Sequence, residues 1–166
     1  MSGLKAITAA SIPRALEKAE RYRLLNEPFF AESICLDVLA IDAHNQPALR
    51  TYVLALTDQF PGGEGDRVPR ARKAIEGLSS EYERAYYTGI VAERRAVALL
   101  ERHDYGAGPA AWGHLQEALR CYAQADALQT DDSNDDAVLR HNTCVRLIAL
   151  HRLREPDDEP NHYPLE

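Results

Sequence analysis

The chain has 166 residues, of which 45% are hydrophobic and 27% are charged, an ordinary balance for a single globular domain spanning residues 1–166. Its formal charge of −7 and its pI near 5.4 argue against the basic surface that nucleic-acid-binding proteins present. No apolar run approaches the roughly 20 residues that a membrane-spanning helix needs, so we expect no membrane partner.

Charge and cysteine usage predict the compartment. Residues 155–166 contain five acidic residues and no Lys or Arg, so the remaining body, with 21 acidic and 19 basic residues, is nearly neutral. The first ten residues lack the apolar core of a secretory signal. The three cysteines, Cys35, Cys121 and Cys144, form no Cys-x-x-Cys pair and suit small buried side chains in a reducing compartment. We therefore expect a cytoplasmic protein.

The first quarter of the chain predicts two helices joined by a tight turn. Ala15, Ala19 and Tyr22 are four and three residues apart, so they share one face of a helix that begins near Ile12. Pro28 disfavours helix in the residue before it and suits the first turn of the next helix. The second helix repeats the four-three spacing at Ala31, Cys35 and Val38.

Five further helices are predicted, separated by turn sequences. They cover residues 46 to about 58, 68–77, 81–102, 110–129 and 136–154. Ser11, Asn45 and Ser80 are expected to cap helices, and Glu83 makes a capping box with Ser80. Residues 59–69 and 103–109 are predicted loops. Three prolines keep residues 155–166, the acidic tail, out of helix.

The helical spacing recurs with a step typical of repeat proteins. Leu49, Val53 and Leu56 begin 34 residues after Ala15. The small and aromatic residues resemble the consensus of the tetratricopeptide repeat (TPR) family at Ala19, Tyr22, Ala31, Gly89, Ala118, Tyr122 and Ala125. The resemblance implies an all-α, antiparallel helix-hairpin array of about three repeats plus a C-terminal helix, with a repeat body over about residues 11–154.

Arrays of this kind form a superhelix whose concave surface is lined by the first helix of each pair. The residues predicted to face this groove are Arg50, Tyr86 and Arg140, with Arg23, Thr57, Glu93 and Arg94 a turn or two further along. Guanidinium groups suit a carboxylate because they donate two parallel hydrogen bonds. A solvated helix face without a ligand is the alternative interpretation of the same residues.

The function that these features favour is a non-catalytic interaction module that binds a peptide or helix of another protein. One alternative is self-association as a homodimer, through the acidic tail or through apolar residues of the last helix that exceed one buried face, namely Leu147, Ile148, Leu150 and Leu153. An enzyme would require coupled titratable groups such as Glu93 with His103, yet no catalytic constellation is present. A further hypothesis places the tail, with Tyr163 and Leu165, in the protein's own groove.

The sequence predicts neither a metal nor a cofactor. His141 and Cys144 lie one helical turn apart, but a structural zinc needs four ligands and no second pair has metal spacing. Asp132, Asn134 and Asp136 mimic the start of a calcium loop that lacks its glycine and its bidentate glutamate. The glycine-rich residues 62–65 lack the Lys-Ser/Thr end of a phosphate-binding loop.

Overall fold

The computed structural model describes residues 3–103 and 106–156, and this part of the chain is all-α, as predicted. Its α-helices are α1 (Ile12–Leu24), α2 (Pro28–Ile41), α3 (Gln46–Thr57), α4 (Arg67–Glu76), α5 (Glu81–Arg102), α6 (Ala107–Leu128) and α7 (Asp136–Leu150). Two short 3₁₀ turns, Ala9–Ser11 and Phe60–Gly62, precede α1 and α4. The acidic tail from residue 157 onward, and residues 104–105 of the second predicted loop, lie outside the described residues. No helix in the described ranges is both long and apolar enough to cross a bilayer.

Side-chain caps explain where several helices begin. The Asn45 side-chain oxygen accepts a hydrogen bond from the Ala48 amide at 3.0 Å, and Ser80 Oγ accepts one from the Glu83 amide at 3.3 Å. Both caps confirm the sequence prediction. The predicted Ser11 cap is wrong, because the Ser11 hydroxyl instead donates to the Thr8 carbonyl at 2.7 Å.

The helices pack in the order of the chain. Each of the first six α-helices contacts the next, and contacts also join the alternate helices α1 with α3 and α3 with α5. Short connections favour this arrangement, since a helix that follows a tight turn is delivered directly against its predecessor. The contacts between alternate helices place α3 beside both α1 and α5.

Helix α5 connects two halves of the hydrophobic core. The first half is formed by α1 to α4 and receives Val91 and Ala98 from α5. The second half is formed by α5, α6 and α7 and receives Ile90, Ala92 and Ala96. Residues 89–93 are therefore buried on every side of the helix, which is the environment of a central core helix.

A close approach between α5 and α6 depends on Gly89. A Cβ atom at this position would lie 2.7 Å from Cε1 of Tyr122, well inside the usual contact distance of two carbon atoms. The Tyr122 ring, which is fully buried, fills the space that a side chain at residue 89 would need. The small residue in the repeated sequence pattern is thus a requirement of helix packing.

Helix α7 presents different apolar residues from those the sequence indicated. Three of the residues predicted for self-association pack against the second half of the core, namely Leu147, Ile148 and Leu153. The fourth, Leu150, is 74% exposed. The reason is the packing of α7 against α6, which directs Leu147 and Ile148 toward the core while most of the helix stays exposed. The other large apolar residues exposed on α7 are Val138, Leu139 and Val145.

Candidate functional site

The arginines predicted to bind a ligand form ion pairs between alternate helices. Arg23 of α1 donates from Nε to Oδ2 of Asp58, directly after α3, at 2.8 Å. Arg50 of α3 donates from Nη1 to Oε1 of Glu83, in the first turn of α5, at 2.8 Å. Each pair crosses from one odd-numbered helix to the next, so these arginines stabilise the arrangement of the helices that carry them.

Asp58 is shared between two arginines. Besides its bond to Arg23, it lies 3.7 Å from Nη1 of Arg94 on α5. Glu20, one turn before Arg23 on α1, lines the cleft between α1 and α3 and supplies a second carboxylate, so acidic and basic groups are balanced here. About a third of the Arg94 side chain is accessible to a further hydrogen-bonding group.

Two of the predicted residues are buried. Thr57 is 1% exposed, and its hydroxyl donates to the Leu54 carbonyl of its own helix at 2.9 Å. Glu93 is 3% exposed and lies within the second half of the core. Neither side chain offers a ligand an accessible surface.

Glu93 is the centre of a buried polar group that joins α5, α6 and α7. Its carboxylate accepts hydrogen bonds from the Tyr122 hydroxyl at 2.6 Å and from Nη1 of Arg140 at 3.0 Å. Burial and the adjacent Glu93 carboxylate raise the pKa of Tyr122, so its phenol stays neutral and donates. A buried carboxylate needs such partners, since an unpaired one costs several kcal/mol, roughly 3 or more.

Tyr86 belongs to an aromatic group at the start of α5. Its ring stacks on Tyr82 at a centroid distance of 5.8 Å, meets Tyr87 edge-on at 5.3 Å and lies 5.9 Å from Tyr122. Tyr86 and Arg140 are therefore near the buried Glu93. Arg23 and Arg50 lie elsewhere, between α1 and α3.

A cleft of about 270 Å³ lies among α1, α3 and α5 and is called here the α1–α3 cleft. The side chains on which its chemistry depends are Glu20, Arg23, Leu24, Arg50, Leu54 and Tyr87. Burial raises the pKa of Tyr87 to about 12, so this phenol is a neutral hydrogen-bonding group at physiological pH. The cleft combines two guanidinium groups, one phenol and an apolar wall, as a site for a short polypeptide segment does.

The structure thus divides the predicted site in two. Arg23 and Arg50 line the α1–α3 cleft, while Tyr86, Glu93 and Arg140 form a largely buried group between α5 and α7. Sequence reasoning missed the partners Asp58 and Glu83, because ion pairs between residues more than 30 positions apart leave no local pattern.

His103 and Glu93, the pair considered for catalysis, are not joined by a hydrogen bond or an ion pair. His103 instead bonds through Nδ1 to the Leu100 carbonyl at the end of its own helix, whereas Glu93 is buried in the core. The ranges described contain no group of three or more His, Cys, Asp or Glu side chains that could hold a metal ion.

Comparisons with models of protein families, with curated proteins and with solved structures give no match to this chain.

Proposed function

We propose that this protein is a non-catalytic interaction module that binds an extended peptide or a helix of another protein in the α1–α3 cleft. The observation that carries the proposal is the composition of the cleft, where Arg23 and Arg50 lie beside Leu24, whose side chain is 88% exposed. Leu25, Phe29 and Phe30, which follow Leu24 into α2, are also exposed, and a group of exposed large apolar side chains is typical of a protein-binding surface.

The ligand that this cleft suits carries a carboxylate beside an apolar side chain. The Arg23 and Arg50 guanidinium groups offer charge-assisted hydrogen bonds to a carboxylate, and the neutral Tyr87 phenol adds a further hydrogen-bonding group. Leu24 and Leu54 provide apolar contact. The internal ion pairs hold Arg23 and Arg50 in position before binding, which lowers the entropy cost of recognition.

A tetratricopeptide-like repeat arrangement is part of this proposal. It is supported by the contacts between alternate helices and by the close packing of Tyr122 on Gly89, two residues that resemble the repeat consensus. A concave surface formed by odd-numbered helices would place the cleft inside it. The cytoplasm is the compartment in which we propose that the module acts.

A selection from a library of random peptides displayed on phage tests the proposal. We expect selected peptides to share an acidic residue next to a large apolar one. Titration of a labelled selected peptide should show weaker binding to Leu24→Asp and Arg50→Gln than to the unaltered protein. Leu24 is almost fully exposed, so its replacement leaves the core intact.

Leu150→Asp is the matched control, because Leu150 is also a highly exposed leucine but lies on α7, away from the cleft. This variant should bind like the unaltered protein. The proposal is wrong if no peptide is enriched, or if Leu24→Asp and Leu150→Asp bind selected peptides equally well.

A further inference from the structure

A second cleft lies among α2, α3 and α4 and is called the α2–α4 cleft. Its volume is about 490 Å³, larger than that of the α1–α3 cleft. Apolar side chains form most of its surface, among them Leu36, Leu39, Leu49 and Tyr52. Leu36 is 44% exposed, so the apolar wall continues onto the outer surface of α2.

The polar edge of this cleft is positively charged. Arg70 and Lys73 of α4 lie on it together with His44, and none of the lining residues in the described part of the chain is acidic. Arg70 is paired with Glu32 and Asp66, and its Nη2 donates to the Tyr52 hydroxyl at 2.7 Å, so Lys73 supplies the positive charge that is free to bind a partner. Lys73 is exposed and forms no ion pair with any described residue. The cleft consequently suits an apolar side chain that is followed or preceded by carboxylates.

The chain itself contains a segment with this chemistry. The acidic tail carries five carboxylates and no Lys or Arg, and it also carries Tyr163 and Leu165. An aromatic and an aliphatic side chain among acids are complementary to an apolar cleft with a lysine at its edge.

Geometry decides whether the tail of the same chain can reach this cleft. Gly77 lines the cleft just before α5 begins, whereas Leu153 lies beside Gly108, just beyond the end of α5. The 22 residues of α5 separate these two points by about 33 Å. From Leu153, a fully extended chain carries Leu165 about 40–43 Å, which leaves only about 10 Å or less for passing around the helices between the two points, whereas the tail of a second copy is free of this restriction.

We propose that the α2–α4 cleft binds the acidic tail of a second copy of this chain. Two copies that exchange tails form a closed, two-fold dimer in which each cleft is filled. This inference concerns a different face of the molecule from the α1–α3 cleft and stands independently of the proposed function.

Sedimentation velocity over a wide concentration range tests the proposal with the full chain. We expect a concentration-dependent dimer that becomes a monomer when the chain is shortened to end at Arg154. Lys73→Glu should weaken the dimer by about threefold to tenfold, since a single exposed charge is reversed. Arg72→Glu is the matched control, because Arg72 is an exposed neighbour on α4 that does not line the cleft, and it should leave the dimer unchanged.

A labelled synthetic peptide of residues 155–166 gives a second measurement on the shortened protein. The peptide should bind, and replacement of Tyr163 and Leu165 by serine should abolish binding. Leu36→Asp should weaken it as well, and circular dichroism checks that this variant folds.

Four results would overturn the proposal. The first is a dimer that persists in the shortened chain, and the second is equal weakening of the dimer by the two charge reversals. The third is the absence of both a dimer and peptide binding. Alternatively, the full chain is monomeric while the shortened protein binds the peptide, which would show that the chain's own tail fills the cleft.

Discussion

Replacing Gly89 with alanine tests the packing of α5 against α6 at its closest point. The added Cβ atom would lie 2.7, 2.9 and 3.0 Å from three ring atoms of Tyr122, whereas carbon atoms in contact prefer roughly 3.5–4.0 Å. The ring cannot move freely, because it is fully buried and its hydroxyl donates to Glu93 at 2.6 Å. Either the helices separate or the ring shifts and strains this hydrogen bond.

Two opposing contributions determine the size of the effect. Alanine in place of glycine gains about 1 kcal/mol of helix propensity in a helix interior. Overpacking of a well-filled core costs about 1–3 kcal/mol, and weakening a hydrogen bond to a charged acceptor adds about 1.5–3 kcal/mol. We expect the free energy of unfolding to fall by about 1.5–5 kcal/mol on balance. For a domain of this size the melting temperature then drops by roughly 3–20 °C.

Urea denaturation followed by circular dichroism measures this change. Gly113→Ala is the matched control, because Gly113 lies within α6, is exposed, and has no atom within 4 Å of a Cβ built on it. It should stabilise the protein by about 0.5–1 kcal/mol through helix propensity alone. If Gly89→Ala stabilises the protein as Gly113→Ala does, the argument for a packing requirement is refuted. A smaller effect of Gly89→Ala in a Tyr122→Leu background would assign the cost to this pair.

Two further predictions concern charged groups. Glu93→Ala should lower the free energy of unfolding by about 3 kcal/mol, because it removes the buried carboxylate that pairs with Arg140. Arg50→Ala should lower it by at most about 1 kcal/mol, because the Arg50–Glu83 pair is partly exposed. Equal costs in urea denaturation would contradict this assignment. Burial and the nearby Arg95 lower the pKa of His114 from its ordinary value of 6.5, so the unfolded chain binds this proton more readily and stability falls as the pH drops through 6.5. His114→Gln should therefore lose less stability between pH 7.5 and 5.5 than the unaltered protein, and an identical loss would exclude His114 as the source.

Helix boundaries and several packing residues follow from the sequence because their causes are local. Proline at the start of α2 and the side-chain caps at Asn45 and Ser80 act within a few residues, and the four-three spacing of apolar residues reports a helical face directly. The sequence also identified Gly89 and Tyr122 as members of one pattern. Their contact explains why the pattern exists.

The tertiary structure alone decided what the polar residues do. Arg23, Arg50 and Arg140 looked accessible in the sequence because arginine is usually solvated, yet each is paired with an acid from another helix. Glu93 is buried for the same kind of reason, since Tyr122 and Arg140 supply its hydrogen bonds from α6 and α7. Such partners are 29 to 47 residues away, and only the packing of the helices determines which charges meet.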